Sequence, residues 1–268
     1  MTGNGAETEV LHEHIRMERD GPVVTVRIDR DGKKAACTAT MFGALGEAFR
    51  RIARSDARVA VLTGANGDFC AGADLWAGDD TGRERTGLDR MRETADVALA
   101  LHGCPIPVIA KVDGVAVGAG FGIALAADLL WCSERARFSL IFAKRGLSLD
   151  FGSSWLLARR VGIHEAKRLA FTAEIIGAGR ARELGFVNEV VPVDELDAAV
   201  DEVAATIASM APMAVSMTKR MLDSAGGLSL AQALEAEATA QNVNFATDDM
   251  REALVAFTEK RDPVFRGR

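Results

Sequence analysis

Residues 111–128 read K-V-D-G-V-A-V-G-A-G-F-G-I-A-L-A-A-D. The first part is β-branched and apolar, the middle carries Gly118, Gly120 and Gly122, and the end is rich in Ala and Leu without proline. This order predicts a strand that enters a helix through a tight glycine turn. Such a turn leaves N–H groups unpaired at the helix start, where the helix dipole adds positive potential. The stretch therefore predicts a place for a negatively charged oxygen.

Working outward, residues 58–64 (R-V-A-V-L-T-G) form a nearly continuous apolar run, the pattern of a strand buried on both faces. The run is followed by A-N-G-D-F-C-A-G-A-D-L, a second small-residue turn in which Ala71, Gly72 and Ala73 leave the backbone open to a ligand. Asp74 reads locally as the cap of a following helix. Upstream, runs 11–17 and 22–29 flank R-D-G-P and predict a hairpin, with His12 and His14 on one wet face. A polar loop over 30–36 carries Gly32 and the adjacent Lys33 and Lys34, which are either solvated or available to a phosphate, and a helix is predicted over 40–54.

Residues 76–86 are polar and glycine-containing, the composition of a lid, and a helix over 88–102 ends at C-P-I-P. Beyond the opening stretch come the short runs L-L-W-C and R-F-S-L, helices over 162–172 and 179–184, and a strand over 187–191. Helices are then predicted over 194–210, 212–223, 228–245 and 248–260. The chain is thus expected to be α/β, with β-β-α units over 1–193 and a helical region over 194–268.

The 268 residues are 49% hydrophobic and supply ample core. A net charge of -6 argues against general nucleic-acid binding, and no apolar run has the length of a membrane span. Cys37, Cys70, Cys104 and Cys132 are scattered without a metal-ligand pattern and read as buried thiols. A polar, acidic start fits a cytoplasmic protein with a frayed N-terminus. There is no tyrosine, no P-loop and no G-x-S-x-G elbow, and the glycines run G-x-G-x-G, not as a dinucleotide fingerprint.

Asp150 stands between Leu149 and Phe151, just ahead of a small-residue helix start near Gly152. It is either the cap of that helix or a partly desolvated acid with a raised pKa. The local sequence favours the cap.

The segments F-C-A-G-A-D-L, P-V-I-A-K-V-D-G-V-A-V-G-A-G-F-G-I-A-L-A-A-D, G-L-S-L-D-F-G-S-S-W-L-L-A-R-R-V-G, A-R-E-L-G-F-V-N-E-V-V-P and F-T-E-K-R-D-P-V-F occur in that order. Together they resemble the enoyl-CoA hydratase/isomerase (crotonase) family over nearly the whole chain. The resemblance implies a spiral of β-β-α turns with a C-terminal helical trimerisation region, trimers or dimers of trimers, and an acyl-CoA thioester as substrate. It implies no metal, and no cofactor other than the coenzyme A of that substrate. It makes the N–H groups of Ala73 and Ala119 an oxyanion hole, although glycine is usual at the latter position. Lys33, Lys34 and Ala36 fall beside the CoA nucleotide, where the usual Asn is Ala35. Ala71, Asp74, Leu75, Gly118 and Phe142 fall along the ligand, while Phe257 and Lys260 resemble residues that enclose CoA, often from a neighbouring subunit. The lid, Leu140, Phe142, Leu147 and Trp155 are expected to wall the acyl pocket.

The two glutamates of the family's hydratases align with Gly122 and Phe142, so both are absent. Asp150 falls where isomerases of the family, and a dehalogenase branch, place an aspartate. The resemblance therefore reverses the local reading and makes Asp150 the proton shuttle of an enoyl-CoA isomerase. The alternatives are a hydratase that recruits Asp79, Asp80 or Glu84 from the lid, and a non-catalytic acyl-CoA binder. A dehalogenase would also need a well-placed His, and none is found.

Overall fold

The computed structural model describes residues 7–78 and 80–268. The expected frayed start, residues 1–6, and the lid acid Asp79 lie outside them. The chain opens with β1 (Glu7–His12), β2 (Ile15–Asp20) and β3 (Val23–Ile28), an antiparallel meander. The expected single hairpin is thus two, because the run over 11–17 is cut by a turn at Glu13 and His14. His14 Nδ1 lies 2.9 Å from Asp29 O, and His12 Nε2 lies 3.3 Å from Thr40 Oγ1, so both rings are half-buried rather than on a wet face.

From β3 onward the chain repeats one pattern: a long strand, a short strand turned out of the first sheet, then a helix. The first turn is β3, a bridge at Cys37 and α1 (Ala39–Ile52); the second is β4 (Val59–Gly64), bridges at Cys70 and Ala73, and α2 (Gly87–His102). The third is β5 (Val108–Val112), β6 (Val115–Val117) and α3 (Ala119–Ala126). The fourth is β7 (Leu129–Ser133) and β8 (Arg137–Ser139), followed by a 3-10 turn (Ile141–Arg145), α4 (Ser153–Val161) and α5 (Ile163–Thr172). Then come β9 (Ile176–Gly177), α6 (Ala178–Glu183) and β10 (Glu189–Val191).

The long strands make one seven-stranded sheet, β1-β2-β3-β4-β5-β7-β10, parallel from β3 onward. The short ones form a second ladder, β6-β8-β9, which the Cys37–Ala73 and Cys70–Ala116 bridges extend. The predicted strand within 111–117 is therefore two strands in different sheets, because the chain swings at Gly114, in the left-handed region at φ 60°.

The core lies between the sheets and helices. Phe121, Phe138 and Phe186 pack with centroids 5.2 to 5.3 Å apart, each pair worth about 1 kcal/mol beyond simple burial. All eight residues of α3 are buried, consistent with its lack of polar side chains. On the far face of the large sheet, α7 (Leu196–Ala208) lays Leu196, Val200, Ala204 and Ala208 over Val59, Val61 and Ile109. The helical region thus begins with a helix that closes the sheet, which accounts for the apolar character of β4 on both faces.

Next, α8 (Pro212–Ala225), α9 (Leu230–Phe245) and α10 (Asp248–Glu259) bury little: no residue of α8 and only Ala240 of α9 are fully covered. Lys219 moors α8 to the core, its Nζ donating to Asp128 Oδ2 (2.7 Å) and Ile106 O (3.2 Å). All four cysteines are free and buried. Among the described residues no single helix is long and apolar enough to cross a membrane, and no group of three His, Cys, Asp or Glu residues could hold a metal ion.

Candidate active site

Two reciprocal close approaches bring the glycine turns together. A Cβ on Gly120 would lie 2.0 Å from Cys70 O, and one on Gly72 would lie 2.7 Å from Val117 O and 3.3 Å from Ala119 N. Only glycine allows such contact between backbones. At the bridge, Cys37 N donates to Gly72 O and Asp74 N to Cys37 O, both at 2.8 Å, so alternation along the strand turns the Ala73 N–H to the other side. Ala119 opens α3, where a helix has no internal acceptor for its N–H. Neither N–H has an acceptor among the described residues. Ala73 and Ala119 both line a cavity of about 1130 Å³.

The same cavity takes in Asp150. The cap reading fails: Gly152 occupies the N-cap position of α4, and Asp150 serves the helix only through its backbone, with Ser153 N donating to Asp150 O at 2.9 Å. Its side chain caps nothing. Asp150 Oδ1 is buried without a hydrogen-bond partner among the described residues, and burial alone pushes the carboxyl up to about 6. An acid in that state is a proton acceptor held near neutrality, at a desolvation cost.

The only other carboxylate on the cavity wall among the described residues is Asp74, and it is engaged. Arg30 Nη1 donates to Asp74 Oδ2 at 2.8 Å, and Trp76 N donates to Oδ1 at 3.1 Å. Burial opposes its ionisation, but the Trp76 N–H and the Arg30 guanidinium outweigh it and hold the carboxyl below its usual range. The expected helix after Asp74 does not form; its side chain closes a turn within its own loop.

Gly122 packs beneath Phe151 and Ser153, away from the cavity wall, while Phe142 presents a buried ring to it. Neither described lid acid reaches the cavity. Glu84 is exposed, and Asp80 accepts from Thr40 N (3.1 Å) and from the Thr40 hydroxyl at the start of α1. Burial works against the ionised Asp80, but the Thr38 and Thr40 hydroxyls outweigh it and lower its pKa.

Lys33, Lys34, Ala36, Ala71, Leu75, Gly118 and Leu147 also line the cavity. Leu140 and Trp155 do not: Leu140 faces the core, and Trp155 stacks edge-on against His102 under the Arg159 guanidinium. Phe257, 85% exposed, and Lys260 lie on α10 and just after it, outside this cavity. Residues beyond the predicted set complete the wall. Met91, Thr94 and Ala95 come from α2 at i, i+3, i+4 spacing, a signal present in the sequence. Arg145 adds a third cation, and Leu149 and Phe151 flank Asp150.

The spiral of strand pairs and helices is the fold of one enzyme family, and the chain belongs to it. The enoyl-CoA hydratase/isomerase family model matches residues 18–268. A Rhodobacter capsulatus protein named a probable enoyl-CoA hydratase is 36% identical over 95% of this chain and 98% of its own. The 1,2-epoxyphenylacetyl-CoA isomerase of Escherichia coli is 32% identical over 96% of this chain and 100% of its own. Among solved structures, an enoyl-CoA hydratase from Bacillus anthracis superposes with a TM-score of 0.90 at 30% identity, covering 96% of this chain and 100% of that one.

Proposed function

We propose that this enzyme moves a double bond within an enoyl-CoA thioester, with Asp150 as the proton shuttle. The observation that carries the reading is that Asp150 is, among the described residues, the one carboxylate on the cavity wall without a hydrogen-bond partner, in the same cavity as two open backbone donors. The thioester oxygen accepts from the N–H groups of Ala73 and Ala119, which favours negative charge on it. Ionised Asp150 takes a proton from C2 of a 3-enoyl thioester; the electrons shift into a dienolate; the protonated acid returns the proton to C4. No atom is gained or lost, and one acid suffices.

Lys33, Lys34 and Arg145 supply positive charge for the CoA phosphates, and the apolar wall from Met91 to Phe151 takes the acyl chain. The exposed apolar residues of α8 to α10, among them Leu222, Leu230, Leu234 and Phe245, suit subunit contacts in a trimer, through which Phe257 and Lys260 would close a neighbour's CoA site.

A hydratase is the competing reading, favoured by the name of the Rhodobacter capsulatus relative. Purified enzyme is assayed on a 3-enoyl-CoA panel and on crotonyl-CoA. Turnover on the former that Asp150→Asn abolishes supports isomerisation. Efficient hydration of crotonyl-CoA, or an Asp150→Asn variant as fast as wild type, ends this reading.

A further inference from the structure

Arg30 ends no helix, does not itself line the cavity, and sits 44 residues from its partner in sequence. Its guanidinium nevertheless joins the two loops on which the site depends. Arg30 Nη1 donates to Ala36 O at 2.9 Å as well as to Asp74 Oδ2 at 2.8 Å, and the paired side chains are 16% and 7% exposed. The other oxygen of Asp74 holds Trp76 N, so one carboxylate ties together the 30–37 loop, the Ala73 edge and the first residue of the lid.

The segment held in this way is strained. Lys34 and Ala35 are consecutive non-glycine residues in the left-handed region, at φ 50° and 53°, and Gly72 follows at φ 90° across the bridge. Such a loop keeps its shape only where its surroundings impose it. The backbone bonds from Ala71 N to Lys34 O (3.0 Å) and from Cys37 N to Gly72 O pass any movement of the 34–37 loop straight to Ala73. Besides the weak thiol contacts of Cys37 with Ala35 O and Cys70, the side-chain restraint on that loop among the described residues is Arg30 on Ala36 O, and Asp74 keeps Arg30 in place.

We propose that Arg30 and Asp74 are a positioning pair: their ion pair fixes the direction of the Ala73 N–H and thereby sets how strongly the donor pair polarises a bound thioester. The proposal rests on reading Ala73 and Ala119 as the oxyanion donors. Both oxygens of Asp74 are spent inside the protein, so the residue acts through Ala73 and not on the ligand.

The test uses a conjugated 2,4-dienoyl-CoA, whose absorbance moves to longer wavelength when its carbonyl is polarised. Wild type bound to it is expected to show the red shift. Asp150→Asn is expected to keep that shift while losing turnover, which separates the donors from the base. Arg30→Lys retains the charge but cannot present the planar fork to Ala36 O and Asp74 together. Arg30→Lys and Asp74→Asn are expected to lose most of the red shift at saturation, and kcat is expected to fall about 100-fold with little change in KM, the size of effect a displaced donor produces. Because breaking a desolvated pair from one side can unfold a protein, Arg30→Gln/Asp74→Asn, checked for folding by circular dichroism, provides the second measurement. A full red shift and wild-type kcat in folded variants, whatever their Tm, would overturn the proposal, as would a rise in KM alone. Absence of any shift in wild type would instead sink the oxyanion reading beneath it.

Discussion

Gly122 lies directly under Phe151: a Cβ built on the glycine would stand 2.7 Å from Phe151 Cβ and 2.9 Å from Ser153 Oγ. Phe151 is itself buried, holds φ at 50° and packs its ring 6.0 Å from that of Phe42. The space beside Gly122, the position that the resemblance aligns with a hydratase glutamate, is therefore filled here by the start of α4.

Restoring that acid should accordingly fail. Gly122→Glu is expected to destabilise the fold by at least about 3 kcal/mol, since it both overpacks the core and buries a charge without a partner. No hydration of crotonyl-CoA should appear. Chemical denaturation and a water-addition assay check both; a stable, hydrating variant would show that the space can reopen.

Asp150 sets function against stability. With no hydrogen bond to its buried oxygen, the ionised side chain is retained at the expense of folding. Asp150→Asn should lower isomerase turnover by about 100-fold or more, the usual weight of a general base. The same change should stabilise the protein above pH 6. Raising a carboxyl from its ordinary value of 3.8 to about 6 corresponds to roughly 3 kcal/mol once both states are ionised. Denaturant titrations at pH 8 should show up to that gain, and at pH 3.5 almost none.

The sign of the pH dependence follows from the same shift. Between about pH 4 and 6 the folded protein holds a proton on Asp150 that the unfolded chain has released, so this residue's contribution to stability falls as pH rises through that window. Catalysis runs the other way, because only the carboxylate accepts a proton. A log kcat/KM profile should climb with unit slope and level off above about pH 6. A flat profile from pH 5 to 8 would mean that Asp150 is not the base.

Residue pattern alone carried much of the strand and helix order, because apolar periodicity and glycine turns are local properties, but it merged strands at Glu13–His14 and Gly114. It also located both glycine turns, through small residues that must face a backbone. Asp150 was ambiguous in its own neighbourhood, since a carboxylate before a helix looks the same whether its side chain caps the helix or turns into a cavity. Arg30 was invisible: its partner lies on another turn of the spiral, and nothing near residue 30 announces it. Leu140 and Trp155 were assigned to the pocket for being apolar, yet apolarity does not distinguish a core-facing side chain from a cavity-facing one.

The meeting of the two donor turns can be tested through Gly72. Its φ of 90° is one that side chains rarely adopt, and an added methyl would strike backbone, Val117 O at 2.7 Å and Ala119 N at 3.3 Å, which cannot swing aside as a side chain could. Gly72→Ala must then push the Ala73 edge away from α3 and widen the gap between the donors. Turnover is expected to fall on the order of 100-fold, with a stability loss of about 1 to 3 kcal/mol. Gly21→Ala provides the control. It too has positive φ, 54°, but a Cβ there meets nothing within 4 Å, and the β2–β3 turn is remote from the cavity wall. That variant should lose about 1 kcal/mol to backbone strain and keep its turnover. If both variants lose activity equally, general loosening of the fold explains the effect and convergence of the donors does not; if only Gly72→Ala does, the contact between the turns is what the chemistry requires.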